Sequence, residues 1–212
     1  MKPHLLLLHG WAYDSHCFDW IRPLLAPSFT LHTPDLEPIW ENRIKELSTL
    51  INTTRGEWFG CGWSMGYLIT RELHSSGLLT KNCGIAALPS FTEKNGLNSQ
   101  TISGMLQGLE TGGQEVLRRF SLWCAYPSRP KQLPSGGAKE YLRSSLRYLC
   151  EAGDITRQPC GPVLLAGKDT LLPLAASQAF PDLATTLLPD AGHDLPLSAP
   201  EKVASWLLAT LL

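Results

Sequence analysis

The chain lacks several features that would point to particular functions. Its six cysteines, at positions 17, 61, 83, 124, 150 and 160, form no CxxC pair and follow no regular spacing. That argues against a paired-cysteine zinc site or a disulfide framework, and the thiols are expected to be reduced. No HExxH pattern occurs either, so neither a metal nor an organic cofactor is expected. Long apolar runs are missing: Leu5-Leu6-Leu7-Leu8 stops at His9-Gly10. A signal-peptide core needs roughly 7–15 apolar residues and a membrane span roughly 20. Membrane insertion and export are therefore not expected, and cytoplasm is the expected compartment. An excess of one charge is also absent. A formal net charge of -1 gives the chain as a whole no attraction for nucleic acid or an anionic membrane. With 43% hydrophobic and 17% charged residues, no repeat and no low-complexity tract, 212 residues suit a single globular domain, 1–212, expected as a monomer.

What is present is an alternation of short apolar runs with segments of helical spacing. The runs are His4–Leu8, Phe29–Thr33, Glu57–Gly62, Cys83–Leu88, Pro162–Ala166 and Thr185–Leu188, most of them stopped by Gly or Pro. Continuously apolar runs of this length suit strands buried on both faces. Helical spacing marks Phe18–Leu25, Glu41–Ile51, Met65–Leu73 and Ala199–Leu211. The alternation predicts an α/β fold: a mostly parallel sheet of about six strands with helices on both faces. Residues 90–158 break the rhythm, yet carry helical patterns at Met105–Leu109, Val116–Trp123 and Tyr141–Leu149. They are expected to form a helical lid inserted between the fourth and fifth strands.

The third strand runs into Gly62-Trp63-Ser64-Met65-Gly66, a G-x-S-x-G pattern with a helix after it. Such a tight strand-to-helix turn strains the serine backbone and exposes its hydroxyl, and glycines two residues either side remove colliding Cβ atoms. Ser64 is thereby the candidate nucleophile. Gly60, Gly62 and Gly66 also approximate a dinucleotide-binding turn, but Trp63 would crowd a pyrophosphate and no acid ends the next strand.

A serine hydroxyl needs a base, and histidine has the suitable pKa. Of the six histidines, His193 is best placed, in Pro189-Asp190-Ala191-Gly192-His193-Asp194 after the last strand. The other five read as strand ends, loop positions and a helix surface. Asp169, in Gly167-Lys168-Asp169 after the fifth strand, is the candidate acid that would orient the imidazole. Asp154, Asp190 and Asp194 are the alternatives. The oxyanion hole needs two backbone N–H donors: Met65, after the nucleophile, and Trp11, in the loop after the first strand.

Leu8-His9-Gly10-Trp11, Gly62–Gly66, Asp169 with Leu172-Pro173, and Gly192-His193 together resemble the α/β-hydrolase superfamily across nearly the whole chain. Within it, the HGW loop and the tryptophan before the serine resemble the pimeloyl-[acyl-carrier-protein] methyl ester carboxylesterase family of biotin synthesis. That resemblance implies a serine carboxylesterase working through an acyl-enzyme, with acyl carrier protein as substrate carrier. Trp11, Trp63 and Phe120 would line the acyl channel, and lid arginines (Arg118, Arg119, Arg143 and Arg147) would grip the acidic carrier.

Charge points the same way: residues 113–158 hold eight basic and four acidic side chains, while the rest of the chain is net acidic. A basic lid would steer an acidic partner to the pocket mouth, though solvated helix faces give the same count. The chain departs from the family pattern in three places. It enters directly at the strand bearing HGW, without the usual leading pair. Leu36-Glu37-Pro38-Ile39-Trp40 replaces a glycine-rich loop, and the insertion is shortened near Pro127–Gly137. A general short-chain esterase or thioesterase on the same three residues, and a non-catalytic binding module keeping the fold, remain as rivals.

Overall fold

A computed structural model describes residues 2–91, 97–151 and 161–212. Six strands form its frame: β1 (His4–Leu8), β2 (Thr30–His32), β3 (Trp58–Trp63), β4 (Lys81–Ile85), β5 (Val163–Ala166) and β6 (Thr185–Leu188). They make one sheet in the order β2-β1-β3-β4-β5-β6, every pairing parallel. Chain order reverses at β1, so a crevice opens at the C-terminal ends of β1 and β3, where open sheets of this kind place their ligands. Every residue of β1 and β3 is buried, which requires cover on both faces. Each of Leu5–Leu8 is at most 1% exposed, and burial of a leucine side chain contributes about 2 kcal/mol.

The helices are α1 (Arg22–Leu25), α2 (Arg43–Thr53), α3 (Met65–Ser75), α4 (Ser99–Thr111), α5 (Gln114–Ala125), α6 (Lys139–Glu151), α7 (Leu195–Ser198) and α8 (Pro200–Leu211). Along α8, Val203, Leu207 and Leu211 recur every fourth residue and are buried, the stripe a helix needs to lie on a sheet. Three helices, α4 to α6, follow β4 and precede β5 along the chain; Asp154 and Arg157 fall outside the described residues.

Two expected elements come out differently. The helix expected over 18–25 is a 3-10 turn at Ser15–Phe18 followed by the four-residue α1. Pro23 lacks an N–H and its ring would strike the carbonyl four residues back, so helix can begin around it but not run through it. The fourth strand covers 81–85 rather than 83–88, because Ala86 turns into the left-handed region at φ +43°.

One histidine pair is wired into the sheet. The Arg55 carbonyl can only accept, so His4 Nε2 carries the proton (3.1 Å) and His4 Nδ1 accepts from His32 Nε2 at 2.9 Å. Burial, then the nearby His4, push the His32 pKa below its ordinary value. A lowered histidine pKa means the unfolded chain takes up the proton first. The stabilisation is complete above about pH 6.5 and is lost as pH falls through the lower folded value. His32→Gln keeps an N–H donor but does not titrate. Melting temperature measured from pH 7.5 to 5 should therefore fall less steeply in the variant than in the wild type.

Candidate active site

The bend at Ser64 is the first element of the site. Its φ of +53° and ψ of -120° are positive-φ values for a residue with a side chain, a strain of roughly 1–3 kcal/mol that neighbours must hold in place. They do so closely. A Cβ on Gly62 would stand 2.0 Å from the Tyr67 nitrogen, and one on Gly66 2.2 Å from the Leu8 carbonyl oxygen. The Ser64 N–H donates to Ile85 O at 2.9 Å, and Tyr67 N–H donates to Ser64 O at 3.0 Å. Ser64 is 7% exposed and stands at the N-terminus of α3, where the helix dipole favours negative charge.

The second element is a buried pair. His193 Nδ1 lies 2.7 Å from Asp169 Oδ2, with both side chains 2% exposed. The other carboxylate oxygen, Oδ1, accepts the backbone N–H groups of Leu171 and Leu172 at 2.8 and 2.9 Å. With Asp169 so oriented, the proton belongs on Nδ1 and Nε2 is left able to accept. Neither remaining described alternative takes this place. Asp190 is exposed, while Asp194 is buried with Oδ1 unpartnered among the described residues, and burial raises its pKa.

Two sets of contacts bring the pair to the bend. The Trp63 indole N–H donates to the His193 carbonyl at 2.9 Å, so the residue before Ser64 holds the backbone of the candidate base. No hydrogen bond from Ser64 Oγ to the imidazole occurs among the described residues; such bonds commonly tighten only when substrate binds. The C-terminus of α5 braces both loops from the other side. Its Trp123 carbonyl accepts from the Thr170 hydroxyl and its Cys124 carbonyl from the Asp194 N–H, each at 3.0 Å. Helix-end carbonyls need such partners. Close approach depends on Gly192, whose Cβ would lie 2.1 Å from Tyr126 O. Lys168 N–H donates to Ala191 O at 2.9 Å and ties the acid turn to the base loop. These braces were not legible in the sequence, because backbone carbonyls carry no sequence signal.

The loop after β1 is the third element. His9, read from sequence as a strand end, is a buried clamp. Leu36 N–H donates to its Nε2 at 3.0 Å, so Nδ1 carries the proton and donates to Gly10 O at 2.9 Å. Burial lowers its pKa, consistent with this neutral ring. A Cβ on Gly10 would be 3.3 Å from Ser64 Cβ, so the loop passes directly over the bend. Neither the Trp11 nor the Met65 backbone N–H is bonded among the described residues. Both are placed in the sequence segments where oxyanion donors are needed.

Trp11, Trp63 and Phe120 form a packed cluster with Tyr13. Trp11 and Phe120 meet edge-to-face at 4.8 Å, and Tyr13 and Trp63 are tilted against each other at 4.7 Å. The Trp11 indole also donates to Leu142 O at 2.9 Å, fastening the loop to α6. All three are at most 5% exposed. The basic side chains are largely paired: Arg118 and Arg119 share Glu115 at 2.7 and 2.8 Å, and Arg143 meets Glu110 at 2.8 Å, while Arg147 is exposed.

Known proteins resemble this chain in both sequence and fold. The profile of the Alpha/beta hydrolase family matches residues 5–206. A pimeloyl-[acyl-carrier protein] methyl ester esterase of Nitrosomonas europaea is 26% identical over 96% of this chain and 93% of its own length. One from Stenotrophomonas maltophilia is 30% identical over 90% and 74%. Among solved structures, a hydrolase from Oleispira antarctica superposes with a TM-score of 0.82 at 14% identity, covering 99% of this chain and 90% of its own. A thermophilic esterase from Thermogutta terrifontis superposes at 0.78 and 19%, covering 100% and 91%. At these identities the two structures speak to the fold.

The Trp63 bond gives a direct test. Trp63→Phe keeps an aromatic ring but leaves the His193 carbonyl without its donor, which costs about 1–3 kcal/mol. Denaturant unfolding should show that loss. The Asp169–His193 pair should persist, seen as a downfield Nδ1 proton resonance with altered shift.

Proposed function

We propose, from the premise that the chain belongs to the Alpha/beta hydrolase family, that it is a serine carboxylic ester hydrolase acting through Ser64, His193 and Asp169. The observation that carries the reading is the fully buried Asp169–His193 pair, tied by Trp63 to the strained serine. His193 Nε2 takes the Ser64 proton as Oγ attacks the ester carbonyl. The Trp11 and Met65 N–H groups meet the oxyanion, and Asp169 steadies the imidazolium. The imidazolium then gives its proton to the departing alcohol. Water, deprotonated by the same imidazole, attacks the acyl-enzyme; Ser64 leaves and takes the proton back. Nothing in these steps calls for a metal or an organic cofactor.

For the substrate, the reading is the methyl ester of a pimeloyl chain on acyl carrier protein. The named esterases above support it, as do the basic residues on α5 and α6. The buried aromatic cluster of Trp11, Trp63 and Phe120 would shape the acyl end of the channel. Arg118, Arg119, Arg143 and Arg147 would meet the carrier. A small free ester is the second reading, and a specific observation favours it: Arg118, Arg119 and Arg143 already have carboxylate partners within the chain.

Two experiments test these statements. Ser64→Ala should abolish ester hydrolysis and labelling by an active-site phosphonate while the protein stays folded. Asp169→Asn should lower kcat by about 10⁴-fold; wild-type turnover in either variant would end the assignment. Rates on methyl pimeloyl-carrier protein and on free short-chain methyl esters, measured side by side, separate the substrates. A kcat/KM at least about tenfold higher on the carrier-bound ester, falling with added salt as a charged encounter should, is the expected result. Equal or better use of the free ester selects the second reading.

A further inference from the structure

A cavity of about 190 Å³ lies on the His9 side of the loop after β1, and neither Asp169 nor His193 lines it. Three segments distant in sequence line it: His9, Tyr13 and Asp14; Asp35, Glu37 and Pro38; and Ser135–Gly137 with Tyr141. The last two include both internal stretches where the sequence departs from the pattern it resembles.

Its lining is acidic and one-sided. Asp14, Asp35 and Glu37 each give one oxygen to a backbone N–H: of His16 at 3.0 Å, Ser15 at 2.7 Å and Ala138 at 2.6 Å respectively. None of the three is ion-paired with a lysine or arginine among the described residues. For Asp35, partial burial opposes ionisation, but hydrogen bonds from Ser15 and the nearness of His9 and His16 hold its carboxyl below the usual range. It is charged at neutral pH.

The second observation is independent of these acids. Tyr141 is 5% exposed and lines the cavity, and its hydroxyl is buried with no hydrogen-bond partner among the described residues. A buried hydroxyl left unpaired costs about 1–3 kcal/mol, so the position calls for an occupant with a polar hydrogen. Among the described residues no three His, Cys, Asp or Glu side chains are grouped to hold a metal ion. A primary ammonium carries the positive charge that unpaired carboxylates attract, and unlike a metal ion it spreads its N–H donors over acceptors set wider than a metal shell.

We infer that this cavity is a subsite for the primary ammonium group of a small molecule, held by the Tyr141 hydroxyl, Glu37 and Asp35. It is separate from the proposed ester chemistry, yet its wall includes His9, the residue that clamps the loop over Ser64.

Saturation-transfer NMR of the full chain with n-propylammonium chloride tests this, with tetramethylammonium and propanol as probes lacking N–H donors and charge respectively. Saturable binding of propylammonium in preference to both is expected. Tyr141→Phe removes an atom that bonds to nothing described in the protein and should weaken binding about five- to tenfold. Glu37→Gln keeps an oxygen for the Ala138 N–H and should weaken it similarly. Ser64→Ala should bind as the wild type does, which separates this result from any failure of the esterase reading. No saturable signal, equal binding of tetramethylammonium, or binding unchanged by Tyr141→Phe would overturn the inference.

Discussion

The hydrogen bond from the Trp63 indole to the His193 carbonyl is the contact on which the site's geometry depends. It joins the end of β3 to a loop that leaves β6, two strands beyond β4 in the sheet. Without such a tie, the loop from β6 would be held by its α5 braces and not by the strand that carries the serine. Trp63 spans the gap because an indole is large, rigid and has one donor at its edge. The strain at Ser64 is held in the same way. The bend survives because Gly62 and Gly66 let α3 and β1 close to distances that a methyl group would forbid.

The segment between β4 and β5 fastens the loops of the site. The end of α5 accepts from the loops that carry Asp169 and His193, and α6 accepts from Trp11. Open carbonyls at a helix C-terminus are ready acceptors, so a helix ending here both satisfies itself and fastens two loops. A segment fastened at those three points is braced along the side facing the site. Any opening for substrate would have to come from parts of the segment away from these ties.

The acidic cavity and the proposed esterase site share the loop after β1. His9 lines the cavity and fixes Gly10 with Nδ1, while Gly10 lies against Ser64. Charge in the cavity is therefore one neutral imidazole away from the backbone that would bind an oxyanion. Burial keeps that imidazole neutral, so the loop's geometry does not depend on its titration near neutral pH.

Much of this was legible in the chain itself. G-x-S-x-G after an apolar run dictates a strained bend, because only glycine tolerates the approach on either side. The order of Ser64, Asp169 and His193 follows the order of the strands that carry them. Pro23 and Ala86 moved element ends because a missing N–H and a positive φ act locally against patterns read over longer windows. What only the tertiary structure decided were contacts between residues far apart in sequence. The indole of Trp63 meets His193, the α5 carbonyls meet the Asp169 and His193 loops, and His9, at the end of β1, also clamps the loop that follows. Such partners are backbone atoms, identical at every position, so no side-chain pattern announces them; the folded path of the chain alone brings them together.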